Sequence, residues 1–167
     1  MPAPESIVFL DIDGVLNNDD WLARNGQLSC DPENIASLNG ILAETGAEIV
    51  VSSDWRKWMS WTELCDRLLG SGLEGIIRDR TPVIDAAPLS GETPHRGREV
   101  TAWLKATGFK GRFVILDDRS DLEPHLPFLI RTGTVHGLTD HEAQLAIEIL
   151  GRRKKVDPFS GIDDAEL

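Results

Sequence analysis

Near the N-terminus an apolar run ends at two carboxylates one residue apart: Ile7-Val8-Phe9-Leu10-Asp11-Ile12-Asp13-Gly14-Val15-Leu16-Asn17. Side chains alternate along an extended chain, so Asp11 and Asp13 point the same way while Ile12 points into the protein. Two carboxylates on one side of a strand tip repel unless a cation lies between them or one keeps its proton. Either arrangement is the start of a reaction centre. A solvated Asp-Gly turn would use the same residues. A calcium-binding EF-hand loop would not, because its closing twelfth position falls on Leu22, which offers no oxygen.

Two more apolar runs end in polar groups of the same kind. Ala47 to Val51 leads into Ser52-Ser53-Asp54-Trp55-Arg56, and Arg112 to Leu116 leads into Asp117-Asp118. Short apolar runs rich in β-branched residues suit strands covered on both faces, as in a parallel sheet. Open sheets of this kind bind ligands in the crevice beyond the strand ends, where Asp11, Asp13, Ser52, Asp117 and Asp118 would gather.

The elements between these runs are helical. Asp31-Pro32 reads as a cap with proline in the first turn, opening a helix that buries Ile35, Leu38 and Leu42 and stops at Gly46. Helices follow over Trp61 to Leu69 and Arg96 to Thr107, and Thr139 with Glu142 forms a capping box for a last one. Gly75 to Arg78 and Phe128 to Arg131 read as further strands. Asn18 to Cys30, with its Asn25-Gly26 turn signal, and Thr81 to Pro94 read as loops. Alternating strands and helices predict a single α/β domain over residues 1–151, with a mostly parallel, doubly wound, Rossmann-like sheet, and the intervals from Asn17 to the next helix and from Ser52 to Arg96 leave no room for a large cap domain. Residues 152–167, basic and then acidic, read as a tail, disordered from Val156.

The 167 residues, 41% hydrophobic and 27% charged, are those of one ordinary globular domain. No run approaches the roughly 18 apolar residues of a membrane span, and Met1 to Ser6 lacks the features of a secretory signal, so a cytoplasmic location is expected. Cys30 and Cys65 fit neither a disulfide framework nor a zinc site. A net charge of −11 argues against indiscriminate binding of nucleic acid, yet leaves room for recognition of a single phosphate.

Taken in order, Asp11 to Gly14, Ser52, Arg96 or Arg98, and Asp117 with Asp118 resemble the four signatures of the haloacid dehalogenase superfamily of phosphohydrolases. More narrowly, Leu10 to Asn17, Ser52 to Arg56, Arg96 to Val100, Leu116 to Asp118 and Gly137 to Thr139 resemble the phosphatase-like domains of bacterial and phage RNA repair proteins. Those are related to the phosphatase part of polynucleotide kinase-phosphatases. The resemblance implies a phosphoric monoester hydrolase with Asp11 as nucleophile and Asp13 as general acid and base. It implies Mg2+ held by Asp11, Asp13 through its carbonyl, and Asp117 or Asp118. Phosphate contacts would come from Ser52, Arg96 and, as an addition, Arg56, for which a structural ion pair is the competing role. Arg96 fits the pattern better than Arg98, although the superfamily more often has lysine there. The implied substrate is phosphorylated, with an RNA or DNA end as the candidate. A small phosphorylated metabolite, or a catalytically silent metal-binding regulatory domain, are the alternatives.

Other features carry less. Gly70 to Gly75 matches a dinucleotide-binding glycine pattern, but follows a helix and leads into a strand, the reverse of the required context. Trp55, Trp58 and Trp61 have helical spacing and read as core or lid, with base stacking as the sharper alternative. The basic residues from Arg152 to Lys155 sit where cations complement a helix end.

Overall fold

A computed structural model describes residues 2–85 and 95–153. Five strands form one wholly parallel sheet, in the order β3 (Ile77–Arg80), β2 (Glu48–Val51), β1 (Ser6–Leu10), β4 (Arg112–Asp117), β5 (Leu129–Arg131). The first acidic run therefore occupies the central strand, which is buried along its whole length. Alternation divides it between two cores. Val8 and Leu10 face a large core built with α2 (Pro32–Thr45), α4 (Trp61–Gly70) and α6 (Asp140–Leu150). Ile7 and Phe9 face a smaller one against α5 (His95–Thr107), where Phe9 meets Trp103 edge to face at 5.4 Å.

The caps read from the sequence position these helices. The Asp31 side chain accepts the Glu33 N–H at 2.9 Å at the start of α2, and left-handed Gly46 ends it. Glu142 accepts the Thr139 N–H at 2.9 Å at the start of α6. The chain leaves α4 at Gly70 and turns at Ser71 and Gly72 on its way to β3, so this glycine pattern does not open a helix.

Three expectations shift. Asn18 to Cys30 is not all loop: α1 (Asp19–Asn25) is a helix capped by the Asn18 side chain, and Gly26 stops it where a hairpin turn was expected. The strand expected from Gly75 starts later, at Ile77, and the one expected from Phe128 starts at Leu129, after a 3-10 turn over Leu126–Phe128. The tryptophans do not share a helical stripe, because α3 (Trp55–Trp58) ends at extended Met59 and α4 starts afresh under a Ser60 cap. Trp55 is buried, Trp58 is exposed, and Arg80 lies over the Trp61 ring at 5.1 Å.

Arg152 and Arg153 bind Glu44 at the end of α2, through an ion pair at 2.9 Å and a backbone bond at 2.8 Å. The expected disorder from Val156 lies outside the described residues. None of the described helices is long and apolar enough to cross a membrane.

Candidate active site

Strand register assembles the site. Leu10 lies level with Val51 of β2 and Leu116 of β4, so the next residues fall in one row, Asp11 and Ser52 just past their strands and Asp117 at the last position of β4. Backbone bonds carry the ladder into that row, from Asp11 N–H to Leu116 O at 3.0 Å and from Ser52 N–H to Leu10 O at 2.9 Å. The chain then turns sharply. Gly14 takes a left-handed φ of 78°, and a Cβ there would lie 2.6 Å from the Asp118 carboxylate. The glycine of the first motif is thus what lets Asp118 close over the turn.

Carboxylate oxygens of Asp11, Asp117 and Asp118 come within 4.8 Å of one another. Asp11 and Asp117 are buried and Asp118 half-buried. Burial, then the charge of Asp117, holds the Asp11 carboxyl well above its ordinary range, and burial also raises Asp117. Arg96 Nη1 lies 2.8 Å from Asp117 and 3.3 Å from Asp11, offsetting part of this repulsion. Burial alone would lower the Arg96 guanidinium, but Asp117, Asp11 and Asp54 together carry it upward, so it stays charged.

Arg96 reaches the row because the first turn of α5 packs against the loop after β4. Gly97 N–H donates to Asp121 O at 3.0 Å, and a Cβ on Gly97 would lie 2.0 Å from Glu123 O. Asp121 also pairs with Arg119 within that loop. Of the two competing arginines, Arg96 is the one whose side chain lies among the acids.

The Ser52 Oγ is fully buried and has no hydrogen-bond partner among the described residues. A buried hydroxyl without a partner carries a desolvation cost that a bound oxygen would relieve. It is the atom expected to face a phosphoryl oxygen.

Arg56 is engaged elsewhere. It forms a buried ion pair with Glu99 at 2.6 Å, and donates to Ser53 O at 2.7 Å and Thr81 O at 2.6 Å. These bonds tie α3 to α5 and to the end of β3. The structural ion pair weighed against phosphate binding is the arrangement found.

Three residues, Trp55, Asn17 and Asp54, take part in the site although the sequence assigned them no catalytic or binding role there. The Asp13 carboxylate accepts from Trp55 Nε1 at 3.1 Å and from Asn17 Nδ2 at 2.9 Å. Asp54, on the rim, lies 3.5 Å from Arg96 and 3.4 Å from Lys57. Their signal was position alone: Trp55 and Asp54 follow Ser52 directly, and Asn17 closes the first motif.

The residues present suit a divalent cation. Three clustered carboxylates, two of them buried, with one guanidinium reaching two of the three, leave negative charge that a hard, oxygen-seeking ion would balance. Asp117 is already committed to Arg96 and to the Arg119 N–H at 2.9 Å, which leaves Asp118 the less encumbered ligand.

Residues 7–143 match the family described as the HAD domain in Swiss Army Knife RNA repair proteins. No curated protein and no solved structure matches the chain. With the four motifs gathered at one sheet edge and the match running across most of the sequence, the chain belongs to this haloacid dehalogenase-type family of RNA repair domains.

Proposed function

We propose that this domain is a Mg2+-dependent phosphatase that hydrolyses phosphomonoesters through an aspartyl-phosphate, with nucleic-acid terminal phosphates as its substrates. The observation that carries the proposal is the single row formed by Asp11, Ser52 and Asp117, with Arg96 bridging the two acids.

Asp11, the Asp13 carbonyl and Asp118 would hold the ion. When bound, it supplies the positive charge that lets a carboxylate approach a phosphate. The protein groups divide the rest. Ser52 Oγ and Arg96 hold the transferring phosphoryl oxygens, a task for which a guanidinium fork is well shaped. An Asp11 oxygen bonds to phosphorus as the bond to the leaving oxygen breaks, and that oxygen takes the proton of the Asp13 carboxyl. Asp13 then accepts a proton from the water that attacks phosphorus. The bond to Asp11 breaks, and phosphate and a free carboxylate are released.

The substrate assignment rests on the family and on the lack of a large cap. Between β1 and α2 stands only the seven-residue α1, with no buried residue. A crevice left open in this way suits the end of a polymer.

Hydrolysis of an aryl phosphate with and without Mg2+ tests the chemistry. Turnover by the wild type that needs the ion and vanishes in Asp11→Asn supports it, whereas equal turnover in the variant would sink it. Oligonucleotides carrying 3′- or 5′-phosphates, run beside sugar phosphates, test the substrate. A preference for sugar phosphates would favour the metabolite alternative.

A further inference from the structure

Each carboxylate oxygen of Asp13 accepts one hydrogen bond, and the two donors come from different parts of the fold. Trp55 Nε1 donates to Oδ2 at 3.1 Å, and Asn17 Nδ2 donates to Oδ1 at 2.9 Å. Neither donor is free to wander. The Trp55 side chain is fully buried in the larger core, on the first residue of α3. Asn17 is fully buried too, with Oδ1 accepting the Gly14 N–H at 2.9 Å and Nδ2 also donating to Ser29 O at 3.1 Å. Asp13 itself is only half-buried, at the mouth of the site.

A carboxylate held at one oxygen still rotates about the bond to its carboxyl carbon. One held at both has its plane fixed. Each oxygen keeps a further lone pair, so the clamp leaves Asp13 able to carry and pass on a proton. We propose that Trp55 and Asn17 are positioning residues that together aim the Asp13 carboxyl at the leaving-group oxygen, and so set which phosphate esters the domain can cleave. A proton donor matters most for a poor leaving group: an alkoxide, such as a ribose oxygen, needs its proton as the bond to phosphorus breaks. A nitrophenolate departs without one. A misaimed Asp13 would therefore lower turnover of alkyl and nucleoside phosphates selectively.

The inference rests on the phosphatase reading, and the test separates the two. Trp55→Phe keeps an aromatic ring in the core but removes the N–H. Asn17→Ala removes the donor to Asp13 together with the acceptor for the Gly14 N–H, without setting a second carboxyl against Asp13. For each protein, kcat/KM is measured for p-nitrophenyl phosphate and for a 3′-phosphorylated oligonucleotide. This parameter reports steps through release of the first leaving group, so later hydrolysis of the aspartyl-phosphate does not mask the effect. Circular dichroism and thermal unfolding identify variants that are folded.

With both variants folded, kcat/KM for the oligonucleotide should fall by about 10- to 100-fold, part of the 10²–10⁴ that general acid catalysis contributes. For the nitrophenyl ester the fall should stay within about threefold, with KM little changed for either substrate, as expected when only transition-state geometry is lost. Equal losses on both esters, or no loss on either, would overturn the positioning role while leaving the phosphatase reading intact. If only one of Trp55→Phe and Asn17→Ala folds, that variant decides on the same criterion. If neither folds, adding p-nitrophenyl phosphates of graded ring acidity to the wild type decides. A kcat/KM that rises steeply with leaving-group acidity shows an Asp13 that gives little proton assistance and overturns the clamp, and a shallow slope supports it. Absence of wild-type turnover on every ester would reject the function and this inference together.

Discussion

The proposed nucleophile is placed where its own charge is costly. Asp11 is buried beside Asp117, and both burial and that neighbour hold its carboxyl well above the ordinary range, while attack on phosphorus needs the carboxylate. A group whose folded-state pKa is raised stabilises the fold only below its unfolded value, and that contribution is lost as pH rises through the folded value. As pH climbs above the ordinary carboxylate range, the metal-free protein therefore bears a growing cost from this burial and repulsion. Asp11→Asn, which the proposed mechanism makes inactive, should raise the melting temperature of the metal-free protein, by about 2–4 °C for each kcal/mol of repulsion removed. The gain should be larger at about pH 7.5 than at about pH 5, following the sign above. Mg2+ should raise the wild-type melting temperature and leave Asp11→Asn and Asp118→Asn nearly unmoved. Differential scanning fluorimetry with and without the ion measures all of these. Arg56 makes the opposite case, a cation whose charge is fully answered by structure. Glu99→Gln would leave it buried without its partner, at a cost of about 3–5 kcal/mol. Stability should drop while KM for a phosphorylated substrate holds steady, and a tenfold rise in KM in folded protein would restore Arg56 to the phosphate site.

Among the elements, the start of α5 governs how Arg96 is delivered. The helix can bring that side chain between Asp11 and Asp117 only because Gly97 lets its first turn touch the backbone of Glu123. Gly97→Ala should lower kcat by an order of magnitude or more as Arg96 is displaced, since about 1 Å of misplacement can cost 10²-fold. Stability should also fall, by about 1–3 kcal/mol for the overpacking. Steady-state kinetics and denaturant unfolding on the same variant check both. The central elements were readable in the sequence because composition alone decides them. β1, β2 and β4 each start on one polar residue, run apolar and then reach polar groups, and α2 carries a capped apolar stripe. What was not readable lacked such a pattern. The α1 helix buries nothing and has no stripe, so only its Asn18 cap could have announced it. β3 is the edge strand Ile-Arg-Asp-Arg, whose charged residues give no apolar run to mark its ends. The tryptophan spacing looked helical because the break at Met59 and Ser60 depends on a capping hydroxyl, not on a glycine or proline. The site was legible as far as strand ends determine it. The clamp on Asp13 was not, because the pairing of Trp55 with Asp13 spans two strands and is settled only by packing.

Across the whole molecule, charge and shape constrain how a polynucleotide could be handled. The chain carries 28 acidic and 17 basic residues, and a phosphate backbone approaching it meets net repulsion everywhere except near local cations. Among the described residues the crevice has Arg96 and, on its rim, Lys57, which itself lies near Asp54 and Asp85, and Arg119, which pairs with Asp121. Recognition should therefore reside in the terminal phosphate and its immediate neighbours, not along the strand. Proteins that grip nucleic acid through many lysines and arginines lose affinity steeply as salt rises, by about 10³–10⁵ between 50 and 200 mM for 6–10 phosphate contacts. Here KM for a phosphorylated oligonucleotide should stay flat or fall over that range, because salt screens the repulsion of the far phosphates as much as it weakens the single attractive contact. Lengthening the oligonucleotide beyond a few nucleotides should not lower KM. Initial rates on substrates of graded length, at salt concentrations across that interval, measure both, and a KM that climbs steeply with salt and drops with length would show an extended basic track that the folded surface must then supply.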